Sequence, residues 1–172
     1  MDKALFKDHY LFELDRREKL TQEMNAVVTG LTVVGGLIGF ALQNYSLSLS
    51  GPGKILVTVS ALFGGIAYAA ALYSAMKCYH FPQTYLAVAT SSQLWHYYNE
   101  LMDFSPGDPD AKSKADEAFE TYMNRVYAQA TDLNANINFY RGDRKGKALK
   151  WLTYAVAWIS GGFLIGYFDS LT

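Results

Sequence analysis

Three histidines, one cysteine and a short file of asparagines are the side chains from which chemistry in this chain would have to be built. Cys78 and His80 stand two apart, the right residue types for a metal but without a second pair at ligand spacing. A small buried thiol beside a histidine is the plainer reading. His9 and His96 lie far from both in sequence. No GxSxG, HExxH or GxxxxGK[ST] pattern occurs, so the nucleophile elbow, the zinc-protease helix and the phosphate loop are missing. The residues therefore suggest a protein that is not an enzyme, with no cofactor and no metal.

A more distinctive pattern is Asn134, Asn138 and Arg141, at i, i+4 and i+7 on one helix face beside Leu133, Ile137 and Tyr140. Asparagine is a poor helix-interior residue. Two in one stripe, followed by an arginine, indicate specific hydrogen bonding. That bonding serves either a ligand or subunit contact just inside a membrane, or interhelical bonds that fix packing register. A basic collar follows: Arg141, Arg144, Lys145, Lys147 and Lys150 against the single acid Asp143. One use of such a collar is to anchor at anionic headgroups. Another is a phosphate-binding ring, formed when several subunits bring their collars together. Trp95, Tyr97, Tyr98, Phe139 and Tyr140 are the aromatics that could stack bases in that case.

The elements that position these groups follow from where charge is missing. The chain has 172 residues, 51% apolar and 18% charged, with a net charge of -1 that gives no global pull towards nucleic acid. No charged side chain lies between Glu23 and Lys54, between Lys54 and Lys77, or between Lys150 and Asp169. A helix crosses a bilayer with about 20 mainly apolar residues. Residues 25–44, 55–76 and 151–168 are thus predicted membrane spans, the first two forming a hairpin over a turn at 46–53 that holds Pro52 and two glycines. The expected fold is all-α and integral to a membrane. It comprises an N-terminal cytosolic helix (1–24), a transmembrane hairpin (25–77), a cytosolic or interfacial helical section (78–150) and a C-terminal transmembrane helix (151–172).

Within those parts, residues 4–23 read as a charged helix with a broken apolar side of Leu5, Phe6, Tyr10, Phe12 and Leu20 and a Glu13–Arg17 pair. Pro82 marks a helix boundary, 84–103 look helical, and FSPGDP at 104–109 is a loop. Residues 110–140 predict a long amphipathic helix with the stripe Phe119, Tyr122, Val126, Ala130, Leu133, Ile137 and Tyr140. The stripe needs a partner surface, either Leu94–Leu101 of the same chain or another subunit. Gly142 and Gly146 would allow a hinge before the last span. The one cysteine implies no disulfide framework, and no cleavable signal peptide is evident.

Lysine and arginine set the orientation. The segment before the first span carries five, the turn at 46–53 none, the stretch from Lys77 to Lys150 nine, and the tail after Phe168 none. The N-terminus and the middle section are predicted inside, the hairpin turn and C-terminus outside. Gly35 with Gly39, Gly64 with Gly65, and Gly162 with Gly166 allow close helix approach, within or between chains. Three spans enclose no aqueous pore alone, so conduction would require an oligomer. Thr29, Thr32, Ser60, Tyr68, Ser74 and Ser160 are the candidate pore-facing groups, all uncharged. A non-conducting anchor or scaffold that binds a partner protein fits the same residues. A small-solute transporter is disfavoured, since no intramembrane charge or inverted repeat is visible.

The blocks HYLFELDRREKLTQEMNAVVTGLTVVGGLIGFALQ, YHFP followed by LWHYYNELMDF, and ATDLNANINFYRGDRKGKALKWLTYAVAW resemble a family of small bacterial membrane proteins of anti-phage defence. They are most similar to the transmembrane effectors of Hailong-type systems. The resemblance covers nearly the whole chain. It implies a homo-oligomer, a tetramer for example, in the bacterial inner membrane with its N-terminus cytoplasmic. It also implies an ion channel gated by a nucleotide or oligonucleotide from a partner nucleotidyltransferase, whose opening depolarises the infected cell in abortive infection. By motif position it implicates Asn134, Asn138, Arg141, Arg144, Lys145 and Lys147 in ligand binding. A ligand that opens the gate and one that holds it shut are both compatible with it, as are cyclic nucleotides.

Overall fold

The charge-free stretches become the long helices of the molecule. A computed structural model of the chain describes residues 4–43, 51–80, 84–104 and 106–169. It contains α1 (Ala4–Gln43), α2 (Gly51–Tyr79), α3 (Ser91–Asp103) and α4 (Ala111–Asp169), with no strand among the described residues. The chain is all-helical, and α1, α2 and α4 are each long and apolar enough to cross a membrane. Most of the turn expected at 46–53, together with Pro82, lies outside the described residues.

Several boundaries differ from the sequence expectation. Gly51, Pro52 and Gly53 begin α2 and are not part of a turn. Proline costs nothing in a first helical turn, where its missing N–H has no intrahelical partner anyway. Residues 84–90 are extended, and the helix expected from 84 starts at Ser91. Thr90 caps it, with its backbone N–H donating to Gln93 Oε1 at 3.0 Å. The amphipathic helix and the last apolar span are one unbroken helix, α4, through Gly142 and Gly146. Before it, Gly107 takes a positive φ of 86°, which a residue with a Cβ adopts at a cost. Asp108 then accepts from the Asp110 N–H at 2.8 Å and from Lys114 Nζ at 2.6 Å.

The chain divides into two compact units, both drawing on α1 and α4. Unit 1 comprises Met1–Glu18 and Pro82–Phe139. Here α3 lies on the first part of α4 through Tyr97 against Tyr122, with ring centroids 4.5 Å apart, and Tyr98 edge-on to Phe119 at 5.5 Å. Tyr98 also donates to Asp116 at 2.7 Å, and that carboxylate pushes the phenol pKa up. Farther along α4, Tyr127 meets Tyr10 of α1 at 5.5 Å, and Ala130 and Ile137 are fully buried. The amphipathic stripe thus finds both α3 and α1 within its own chain. Tyr10, Glu13 and Leu20 form the buried side of α1, while Leu5 and Phe12 are exposed. Of the apolar side expected on this helix, Tyr10 and Leu20 are buried and Leu5 and Phe12 are not. The misleading residue is Glu13, a carboxylate that points inward.

Unit 2 comprises Lys19–Phe81 and Tyr140–Thr172. Its buried positions keep a seven-residue period on all three helices. On α1 they are Leu20, Met24, Val27, Leu31 and Val34. On α2 they are Gly53, Ser60, Gly64, Ala67, Ala71, Ser74 and Cys78, with Ala75 buried beside Ser74 off the period. On α4, Arg141, Ala148, Ala155 and Gly162 are buried at steps of seven. Such a period keeps one face towards its neighbours along a left-handed supercoil. One core cluster joins Met24, Val27, Leu31, Ala71, Ala75, Cys78 and Ala148, and another joins Val34, Ala67 and Ala155.

Candidate functional site

In unit 1 the asparagines of α4 hold the extended segment and α1. Asn134 is fully buried. Its Oδ1 accepts from the Leu86 N–H at 3.0 Å, and its Nδ2 donates to the Leu86 carbonyl at 3.1 Å. The side-chain amide therefore pairs with Leu86 as a neighbouring strand would. This pairing explains why 84–90 stay extended: backbone groups that a helix would satisfy internally are met by a side chain 48 residues away. Val88 N–H adds a longer contact to Tyr10 Oη at 3.4 Å.

Asn138, one turn on, is also fully buried. It donates through Nδ2 to both the Glu13 carbonyl and Glu13 Oε2, each at 2.8 Å. Its Oδ1 accepts from Tyr85 Oη at 2.5 Å. Glu13 is 7% exposed, so its carboxylate would be costly without these donors. Arg16 adds a 3.5 Å contact to the same carboxylate. Arg17, expected to pair with Glu13, has its guanidinium carbon 4.5 Å from the Tyr85 ring centroid. Both asparagines thus hydrogen-bond within the chain, Asn134 to the extended segment and Asn138 to α1 and Tyr85.

In unit 2 the collar residues have different fates. Arg141 is 8% exposed; it donates to Thr21 Oγ1 at 3.2 Å, and its carbonyl accepts from Cys78 Sγ at 3.4 Å. Cys78 is therefore a buried thiol bonded to backbone, and among the described residues no cluster of His, Cys, Asp or Glu could hold a metal. Lys145 is paired with Glu23, and Lys147 with Asp143 at 2.7 Å. Arg144 lies over Tyr140, 5.0 Å from the ring centroid, and its buried Nε has no hydrogen-bond partner.

The small-residue positions separate into two groups. On the closed seam between α2 and α4, Gly64 lies so near Ile159 that a Cβ there would stand 2.9 Å from its Cγ1. Gly162 faces Ser60, Gly166 faces Val57, and Gly53 faces the Asp169 carboxyl. Ser60 and Ser74 are buried in the chain's own interior, and Ser74 donates back to the Ala70 carbonyl. Gly35 lies under the Tyr68 hydroxyl. By contrast, Thr29 and Thr32 stand on the exposed side of α1, each donating to a carbonyl one turn earlier. Gly39 has open space around it, and Ser160 is exposed.

Sequence reasoning missed Glu13, Tyr85 and Leu86 as partners of the asparagines. An acid on the helix face continuous with Leu20 and Met24 was the available signal. No protein-family model, curated protein or solved structure matches the chain.

Proposed function

We propose that the chain is an integral membrane protein of the bacterial inner membrane with its N-terminus in the cytoplasm. In this reading it assembles as a homo-oligomeric effector and forms a gated ion-conducting pore. A nucleotide or oligonucleotide from a partner nucleotidyltransferase controls the gate, and the open pore depolarises the infected cell.

The observation that carries the membrane part is the inverted size pattern of unit 2. Glycine, alanine, serine and cysteine face inward on α2, while Ile55, Leu56, Leu62, Phe63 and Ile66 face outward, each about half exposed or more. On α4, Phe163, Leu164 and Phe168 do the same. In water each such half-exposed residue forgoes about half of the 1.5–3 kcal/mol that full burial contributes. In lipid the outward face needs no cover, and close packing of small residues supplies association.

Support for a pore comes from α1. Thr29, Thr32, Gly36 and Gly39 recur at steps of three and four on one side of α1, the threonines bonded to their own helix and the glycines with open space around them. In an oligomer this stripe would give a path lined by hydroxyls and backbone. The nucleotide signal and the defence role rest on the resemblance of the sequence blocks. A second reading, a membrane anchor that binds a partner protein, is favoured by one observation: Asn134 and Asn138 already have partners within the chain.

The test is a membrane-potential dye in cells expressing the chain alone and then with its genomic neighbour. Depolarisation in either case is the expected result, and its pattern tells a ligand-opened pore from a ligand-closed one. A membrane-inserted protein that leaves the potential intact in both would favour the anchor.

A further inference from the structure

Of the collar's two arginines, Arg144 is the one that no hydrogen bond or ion pair ties to another helix among the described residues. Arg141 is buried on Thr21, Lys145 is paired with Glu23 and Lys147 with Asp143. No carboxylate among the described residues pairs with Arg144, whose Nε is buried without a partner. Tyr140 fixes the guanidinium from one side, at 5.0 Å. A stacked arginine keeps its outer fork of donors aimed at one direction, and such a fork matches two oxygens of a phosphate.

The same face of α4 continues as Lys147, Trp151 and Tyr154, at helical steps of three and four from Arg144. Trp151 and Tyr154 meet edge to face at 5.7 Å, and Lys150 Nζ stands 5.9 Å from the Tyr154 ring centroid. Beyond them no charge occurs until Asp169. Residues 151–168 rise about 27 Å, close to the hydrocarbon thickness of a bilayer of about 30 Å. Arg144 lies about 10 Å along the axis from Trp151, which is headgroup depth when the aromatic pair marks the interface.

We propose that the α4 face carrying Arg144, Lys147, Trp151 and Tyr154 binds the phosphate of an acidic phospholipid headgroup. This rests on the membrane reading given above. The grading along the face matches a lipid from end to end: forked cation for the phosphate, aromatic pair at the glycerol level, apolar residues for the chains. A free phosphate or a nucleotide would leave the apolar end of this face, which continues one turn on as half-exposed Trp158, without a counterpart. Lys147 is held by a surface ion pair, which is weak enough to exchange for a lipid phosphate.

The test uses the full-length protein in neutral detergent, with the thermal unfolding midpoint read as phosphatidylglycerol, phosphatidylcholine or inorganic phosphate is added. Phosphatidylglycerol is expected to raise the midpoint, with the other two inert at the same concentration. Arg144→Gln is expected to need about tenfold more phosphatidylglycerol for half the shift, as loss of a bidentate charged contact implies. Arg144→Lys falls between, because it keeps the charge without the fork. Lys112→Gln, an exposed cation elsewhere on α4, should match the wild type.

The proposal is overturned if Arg144→Gln responds as the wild type does, or if phosphatidylcholine works equally well. An equal response to inorganic phosphate overturns the lipid assignment and marks the site as one for a soluble anion. Should Arg144→Gln lose its helical ellipticity, the Arg144→Lys comparison carries the test. A carbonate wash of cell membranes separates the two levels. Wild type released by the wash refutes the membrane reading itself; wild type retained, with Arg144→Gln unaffected by lipid, refutes only this site.

Discussion

Asn138→Leu is expected to cost unit 1 about 3–5 kcal/mol. The substitution removes the two Nδ2 bonds to Glu13 and the bond from Tyr85. Two of these are neutral, at about 0.5–1.5 kcal/mol each, and the one to the carboxylate contributes about 1.5–3 kcal/mol. Leucine burial offsets part of the loss, but the Glu13 carboxyl, in a site only 7% exposed, then loses its Asn138 donor. With only the longer Arg16 contact left to that carboxyl, its lost donor is the dominant cost. The reasoning is therefore sharpest in a double-mutant cycle. Glu13→Leu alone should cost less than Asn138→Leu alone, because it removes the charge along with its need for a donor. The double variant should be better than the sum of the singles by about 1–3 kcal/mol. Hydrogen exchange of the α4 amides between 119 and 138 measures the opening free energy of this unit in the full-length protein. Additivity within about 0.5 kcal/mol would refute the reasoning, since it would mean that the two side chains do not share one buried network.

Other expectations follow from single contacts. Gly64→Val should destabilise the protein by about 1–3 kcal/mol through overpacking against Ile159, whereas Gly65→Ala, with open space around it, should be neutral or slightly stabilising; thermal unfolding in detergent tells them apart. Asn134→Leu should speed hydrogen exchange at the Leu86 amide while leaving the helical amides of α3 protected. Asp108, held below the usual carboxylate range by the Lys114 ammonium and the Asp110 N–H, should titrate below its ordinary value in an NMR pH series. The stabilisation it gives is complete above its unfolded pKa and is lost as pH falls through the lower folded one; Lys114→Gln should move that titration back up.

The three long apolar helices were legible because charge is excluded from long runs of sequence. Their inward faces were harder to read. Isolated glycine pairs stood out, yet the real seam on α2 is a longer file of Gly53, Ser60, Gly64, Ala67, Ala71, Ser74 and Cys78. None of these residues is large and apolar, so hydropathy alone does not tell this file from the outward face. The asparagine file was legible as unusual. Its partners were not, because Leu86 and Glu13 lie 48 and 125 residues away and no local pattern joins them. For the same reason 84–90 looked helical: the composition permits a helix, and a distant amide decides otherwise. Gly142 and Gly146 offered a hinge that α4 does not use.

Ion flux through the reconstituted protein tests the proposed pore most directly. Full-length protein in phosphatidylcholine–phosphatidylglycerol liposomes with an imposed potassium gradient is expected to dissipate the resulting potential, with or without added oligonucleotide according to the sense of the gate. Thr32→Trp, on the exposed stripe of α1, is expected to change that flux while the protein stays folded and inserted. A gradient that holds in every condition, with the protein shown to be in the bilayer, would contradict the pore and leave the anchor standing.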